Sequence, residues 1–304
     1  MSRVIEQLDV VTLTPYQALG IPIALLGGVF LALGAQFQHR GVHKVEDRLG
    51  SGQKAGLSIT QVRALLMRPS WVVGTVMLGL AIVLQLVSLA FAPLIVVQPL
   101  GVIALVITAV VNARVSHLKL DRKAIVAIAL CVGGIGLFVT VAALTATERV
   151  ITAGQLTTIL GILAGVIVVY SIVFVFLRKR MRAVSYIIAA GVIYGFVATL
   201  AKVVLNRLVN GNFEGLTLFA VAILIGGTAL GAYFVQNAYA VGSPDLVIAG
   251  LTVIDPMVAV AIGVIVLGEA ATAPLWAVAV FVLAAVIAIV GVFRLAKHHP
   301  QTHR

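Results

Sequence analysis

Asp255 is an ionisable residue in the middle of an apolar run. The stretch 243–269, SPDLVIAGLTVIDPMVAVAIGVIVLGE, is long and apolar enough to cross a bilayer as one helix, with Asp255 and Pro256 near its centre. A charge at that depth costs about 3 kcal/mol or more, so such a residue faces a protein interior or a wet cavity and marks a functional site. The proline removes a backbone donor and kinks the helix. A carboxyl group so placed can hold a proton or face a cation. Other polar side chains fall within apolar spans: Tyr194 near mid-depth, Lys202 and Gln98 in the outer half, and Gln36 near the inner end of the first span. Gln85 lies past the middle of its span toward the outer face, and Gln236 and Asn237 lie toward the inner face of theirs. The set that could bind a substrate or a proton is therefore Asp255, Lys202, Gln85, Gln98, Tyr194, Gln236 and Asn237. Each has a structural alternative, because intramembrane amides bond neighbouring helices and Lys202 can snorkel to the outer surface. Glu269, following Gly268 at an outer helix end, reads as solvated.

No span or loop brings together a nucleophile, a base and an orienting group, and no glycine-rich phosphate loop is present. The reading is not an enzyme and requires no cofactor. All six histidines fall in loops or the tail, without metal-ligand spacing to cysteines or carboxylates, so no metal site is expected.

The elements that position these residues follow from composition. The chain has 304 residues, 62% of them hydrophobic and 10% charged, with a mean hydropathy of +1.17. A soluble domain of that size could not hide so much apolar surface. The fold class is all-α, a polytopic membrane protein. Apolar windows place nine transmembrane spans near 16–38, 70–92, 94–114, 123–144, 155–177, 184–206, 216–240, 245–268 and 274–294. Spans 2 and 3 are divided only by Ala92-Pro93, and spans 7 and 8 only by Gly242-Ser243-Pro244, so both pairs are tight hairpins. Pro69 and Pro274 sit where a helix start tolerates proline. In the loop 39–69, Ile59, Val62, Leu65 and Leu66 recur at helical spacing among Lys54, Arg63 and Arg68, which predicts a short amphipathic helix on the membrane surface.

The net charge of +11 does not point to nucleic acid, because the basic residues lie in short loops. Seventeen Lys and Arg fall on the side of loops 1–2, 3–4, 5–6 and the C-terminus. Three (Arg3, Arg149 and Arg207) fall on the other, and Lys202 lies inside span 6. By the positive-inside rule the N-terminus is outside and the C-terminus cytoplasmic. The N-terminal segment, with one base and two acids, is a poor signal peptide, so the first span is read as mature. The single Cys131 can form no internal disulfide and reads as a small packing residue. The plasma (inner) membrane of a bacterium is the expected location.

A shift of 150 positions lays the hairpin ending at Ala240 on the one ending at Ala90, and span 9 on span 4. Few letters coincide (Ala90/Ala240, Val97/Val247, Ala109/Ala259, Val110/Val260), so helix and loop lengths carry the match. The predicted organisation is a first four-helix repeat over 1–145, a linker helix over 146–182, and a second repeat over 183–304, inverted because five spans separate the two starts. Inverted repeats are typical of alternating-access transporters, with the site near the midplane.

The stretch 89–101, LAFAPLIVVQPLG, resembles the FAP…V-x-PLG hairpin of the NIPA-type magnesium transporters. Span 6 (ATLAK, ending at Lys202), Gln236-Asn237 of span 7 and the nine-span layout are also similar to that family. Trp71, the hairpin near Ala90 and the Gly-rich span 4 resemble the small multidrug resistance proteins. Both belong to the drug/metabolite transporter superfamily, with its EamA-like members, and the resemblance covers nearly the whole chain. It implies a multi-pass transporter. Ile82 stands where the NIPA pattern has an acid, Gln85 replaces its asparagine, and Ala249 its second-half proline. Span 1 has no acid where small multidrug pumps use a glutamate. Neither magnesium transport nor that proton site carries over.

The leading expectation is a secondary transporter of a small organic metabolite or drug-like cation. Asp255 would hold a proton or the substrate, with Lys202 its nearest candidate partner. The first alternative is a divalent-cation permease of NIPA type, for which one buried acid makes a poor hard-cation site. The second is a non-transporting membrane scaffold, or a protein that handles lipid-linked intermediates. Expected partners are a small molecule or ion and the lipid bilayer, with the chain working as a monomer or homodimer.

Overall fold

The computed structural model describes residues 18–49, 65–115, 121–147, 151–177, 182–242 and 244–297. Among them there is no strand, and nine segments are helical, long and apolar enough to cross a membrane. The helices are α1 (Gly20–Leu49), α2 (Pro69–Phe91), α3 (Leu94–Leu100), α4 (Ile103–Val115), α5 (Arg122–Thr145), α6 (Ala153–Leu177), α7 (Ala183–Val209), α8 (Gly215–Val241), α9 (Pro244–Ile262) and α10 (Leu275–Lys297). Their Val and Ile content does not oppose helix formation here, because in hydrocarbon only a helix or a closed barrel satisfies every backbone group.

Three differences from the sequence reading have physical causes. The first helix does not stop at His39 but runs to Leu49. The residues from His39 onward are polar but still helix-forming, so the apolar run ends before the helix does. Span 3 is two helices, α3 and α4, parted at Gly101-Val102. Pro99 lies inside α3, and the backbone beyond it closes through tight bonds such as Val102 N–H to Pro99 carbonyl (3.2 Å) and Leu105 N–H to Val102 carbonyl (3.0 Å). Span 8 continues beyond α9 as a π-helical turn, Gly263–Leu267, ended by Gly268 at φ 73°. The amphipathic surface helix expected over 59–66 lies largely outside the described residues.

Packing is by pairs. α1 lies along α2 and also meets α4, α7 lies along α8 and α9, and α5 lies along α10. The α5–α10 contact is backbone-close: a Cβ at Gly134 would sit 2.6 Å from the Ala288 nitrogen, and one at Gly291 2.5 Å from the Cys131 nitrogen. Such small-residue seams hold helices together where lipid removes the hydrophobic drive for association. Cys131 is fully buried in this seam, the packing role its sequence context suggests. The deepest helix is the shortest α-helix. Leu94, Ile95, Val96 and Val97 of α3 are all buried, with α1, α5 and α9 packed around them. α6, by contrast, is largely exposed and rests on α7 and the π turn.

Candidate functional site

Pro93 leaves α3 starting inside the bundle. The first N–H groups of a helix have no partner within it, and burial makes that costly. Glu269 supplies the partners: its carboxylate oxygens accept the Leu94 and Ile95 N–H groups at 2.8 Å each, from 175 and 174 positions away. Lys202 of α7 donates to the Ala92 carbonyl at 2.7 Å, and its Nζ lies 3.7 Å from Glu269 Oε1. Lys202 and Glu269 are each only 3% exposed.

Glu269 is thus not the solvated helix end its sequence context suggests, and Lys202, one of the candidate site residues, reaches Glu269 and the Ala92 carbonyl in the interior. The backbone explains where Glu269 points. Gly268, in the left-handed region, reverses the chain after the π turn, and the Glu269 N–H returns to the Gly263 carbonyl at 3.0 Å. The Gln155 side-chain amide of α6 donates to the Val266 carbonyl at 3.1 Å, a group loosened by the π turn. The Glu269 carbonyl accepts the Thr147 N–H at 2.8 Å. The carboxylate is thereby aimed at α3. Gly268-Glu269 after an apolar span was the visible signal, and nothing local in it names a partner so distant in sequence.

Asp255 occupies a different setting. It lies on α9 where α7 comes close through glycines: a Cβ at Gly195 would fall 2.9 Å from the Asp255 carbonyl oxygen and 2.6 Å from Val258 Cβ. Its Oδ1 is occluded and has no hydrogen-bond partner among the described residues. Tyr194 precedes Gly195 on the same stretch of α7 and packs its ring over Gly231 of α8.

The other candidates are spread out. Gln98 is 6% exposed within α3, in the same hairpin that Glu269 grips. Gln85 is half-buried on α2. Gln236 is exposed on α8, and the Asn237 side-chain amide donates to the Tyr233 carbonyl of its own helix at 2.7 Å. The structure thus gathers Lys202 with Glu269 and the α2–α3 turn, and places Asp255 apart on α9 against the glycines of α7. Arg207, expected in a loop, is buried near the end of α7, donating to Thr217 Oγ1 at 2.8 Å and Glu214 Oε2 at 3.0 Å. Among the described residues no three His, Cys, Asp or Glu side chains come together as a metal site would need.

The chain is similar to an uncharacterised protein of Corynebacterium glutamicum, 25% identical over 280 residues that cover 92% of this chain and 95% of that protein. No family model matches the chain. No solved structure matches it either.

Proposed function

We propose that the protein is a secondary-active transporter of the drug/metabolite type, moving a small organic cation or related metabolite across the plasma membrane by alternating access. One observation carries the reading: in the middle of a membrane-spanning helix, an occluded carboxylate oxygen of Asp255 has no hydrogen-bond partner among the described residues. A buried acid without a protein partner is costly unless it is protonated or meets a cation. A carboxylate at that depth offers charge neutralisation to an organic ammonium group. Asp255 then holds the substrate cation or a proton that exchanges with it.

The helix pairing supports an inverted repeat. α1 meets α2 and α4 as α7 meets α8 and α9, and α5 and α10 pair with each other. The broken span 3 and the π turn in span 8 are irregularities of the kind found at the repeat interface of transporters. The grip of Glu269 on α3, with Lys202 between them, ties the first half to the second at one end of the bundle. By the basic-loop count that end is expected to be the outer one. The bacterial relative agrees with a bacterial plasma membrane.

The test is flux in proteoliposomes loaded with organic cations, with and without a pH gradient. Asp255→Asn is expected to abolish concentrative uptake while the protein stays folded. Full pH-dependent transport by that variant would sink the role given to Asp255. Saturable magnesium flux that organic cations do not inhibit would instead favour the permease reading suggested by the α2–α3 hairpin.

A further inference from the structure

The helices before α6 and those after it meet in two unlike ways. Along α5 and α10 the seam is apolar and too close for a Cβ at Gly134 or Gly291. Elsewhere α3 rests on α9 and the π turn, and α2 on α7. There the joint is polar. Glu269 accepts from Leu94 and Ile95 while Lys202 donates to the Ala92 carbonyl, so residues after α6 hold the Ala92-Pro93 turn by its donors and its acceptor together. Parting a close-packed seam forfeits its van der Waals contacts. Hydrogen-bonding groups exchange one partner for water, so parting them costs little net.

Each side of the polar joint also sits on backbone that can turn. α3 is seven residues long, set between Pro93 and the break at Gly101-Val102, with Pro99 inside it. Glu269 follows Gly268, whose φ is 73°, at the end of the π turn Gly263–Leu267. A few residues at element ends absorb the φ/ψ changes of hinge motions, and π turns are frequent at functional sites. The chain that leads into α6 is tied to the Glu269 side. Gln155 donates to the Val266 and Leu267 carbonyls at 3.1 and 3.4 Å, and the Thr147 N–H to the Glu269 carbonyl at 2.8 Å.

We propose that the hold of Glu269 and Lys202 on the Ala92-Pro93 turn is a gate, made in one access state and released in the other. α3 and the Glu269 segment part while the α5–α10 seam stays shut. The gate rests on the transport reading and supplies its moving contact.

The test uses the full-length protein in proteoliposomes, with the organic cation carried fastest in the flux assay. Leu94 Cβ lies 3.3 Å from where a Cβ at Gly263 would stand, near the spacing of about 3.8 Å that a disulfide needs. Leu94→Cys combined with Gly263→Cys should cross-link on oxidation, stop cation flux, and regain it on reduction. Leu94→Cys alone keeps the backbone donors. Its thiol, at a fully buried position, should react slowly with N-ethylmaleimide and faster when the cation is added. Glu269→Gln should raise that rate roughly tenfold, the shift that one net hydrogen bond gives to an opening equilibrium. Gly263→Ala should act in the same direction, because its methyl would stand 2.7 Å from Glu269 Oε2 and displace the carboxylate without changing its charge. Native Cys131, buried in the α5–α10 seam, should stay unlabelled throughout and controls for general loosening. A static tie would also be loosened by the two substitutions, but it would not respond to the cation. Equal flux in the oxidised and reduced pair, or a Leu94→Cys rate that the cation leaves unchanged, would therefore overturn the gate and leave the transport reading standing. No organic-cation flux in the unaltered protein would remove both.

Discussion

The Glu269 carboxylate is held by two backbone N–H groups and faced by one lysine, and the members of that set are not equivalent. Glu269→Ala leaves the Leu94 and Ile95 N–H groups without their acceptor and takes the carboxylate away from the buried Lys202 ammonium, which keeps the Ala92 carbonyl. It should lower stability by about 3–5 kcal/mol, the range for breaking a buried pair from one side, seen as an early thermal transition in detergent. Lys202→Met should cost less, because the carboxylate keeps its backbone donors. If the lysine variant proves the more damaging, the pairing rather than the α3 contact dominates. Asp255 should behave oppositely. Its Oδ1 has no hydrogen-bond partner to lose among the described residues, and a neutral amide is easier to bury than a charge. Asp255→Asn is therefore predicted to leave the melting temperature unchanged or raised while transport is lost. Local sequence could separate these two acids only by depth. Asp255 stood out as a charge in mid-span, whereas Glu269 looked ordinary because its partners lie in another hairpin.

At the scale of elements, the spans were legible because hydrocarbon demands about twenty apolar residues per crossing, and the nine windows recur as helices with small shifts at their ends. The break at Gly101-Val102 and the π turn at Gly263–Leu267 were not. Pro99 marked a place where hydrogen bonding must change, but many membrane helices carry a proline without parting, since neighbours satisfy the freed groups. The α5–α10 seam offers a direct check. Gly291→Leu drives a side chain into the Cys131 backbone, already 2.5 Å from a bare Cβ, and should prevent the two helices from closing. Loss of the monodisperse peak in size-exclusion chromatography is the expected outcome. Gly268→Ala should be milder, losing roughly 1–2 kcal/mol for a side chain in the left-handed region, with the defect appearing in thermal unfolding.

At the scale of the molecule, orientation rests on seventeen basic residues against three, and the buried state of Cys131 makes it testable with little background. A cysteine placed at Phe213, exposed between α7 and α8, should react with an impermeant maleimide added to intact cells. One placed at Lys297, exposed at the end of α10, should react only after permeabilisation. The reverse pattern would turn the molecule over and put the Glu269–Lys202 contact on the cytoplasmic side.

Composition and periodicity alone determined the multi-pass helical architecture and its nine apolar spans, because the bilayer imposes one length and one satisfied backbone on every crossing. They also singled out Asp255, since depth in a span can be counted along the chain. Which groups meet across the bundle was decided only by the tertiary structure. Capping α3 from Glu269 and turning Lys202 to Glu269 both depend on contacts between residues far apart in sequence, and no local pattern encodes those distances.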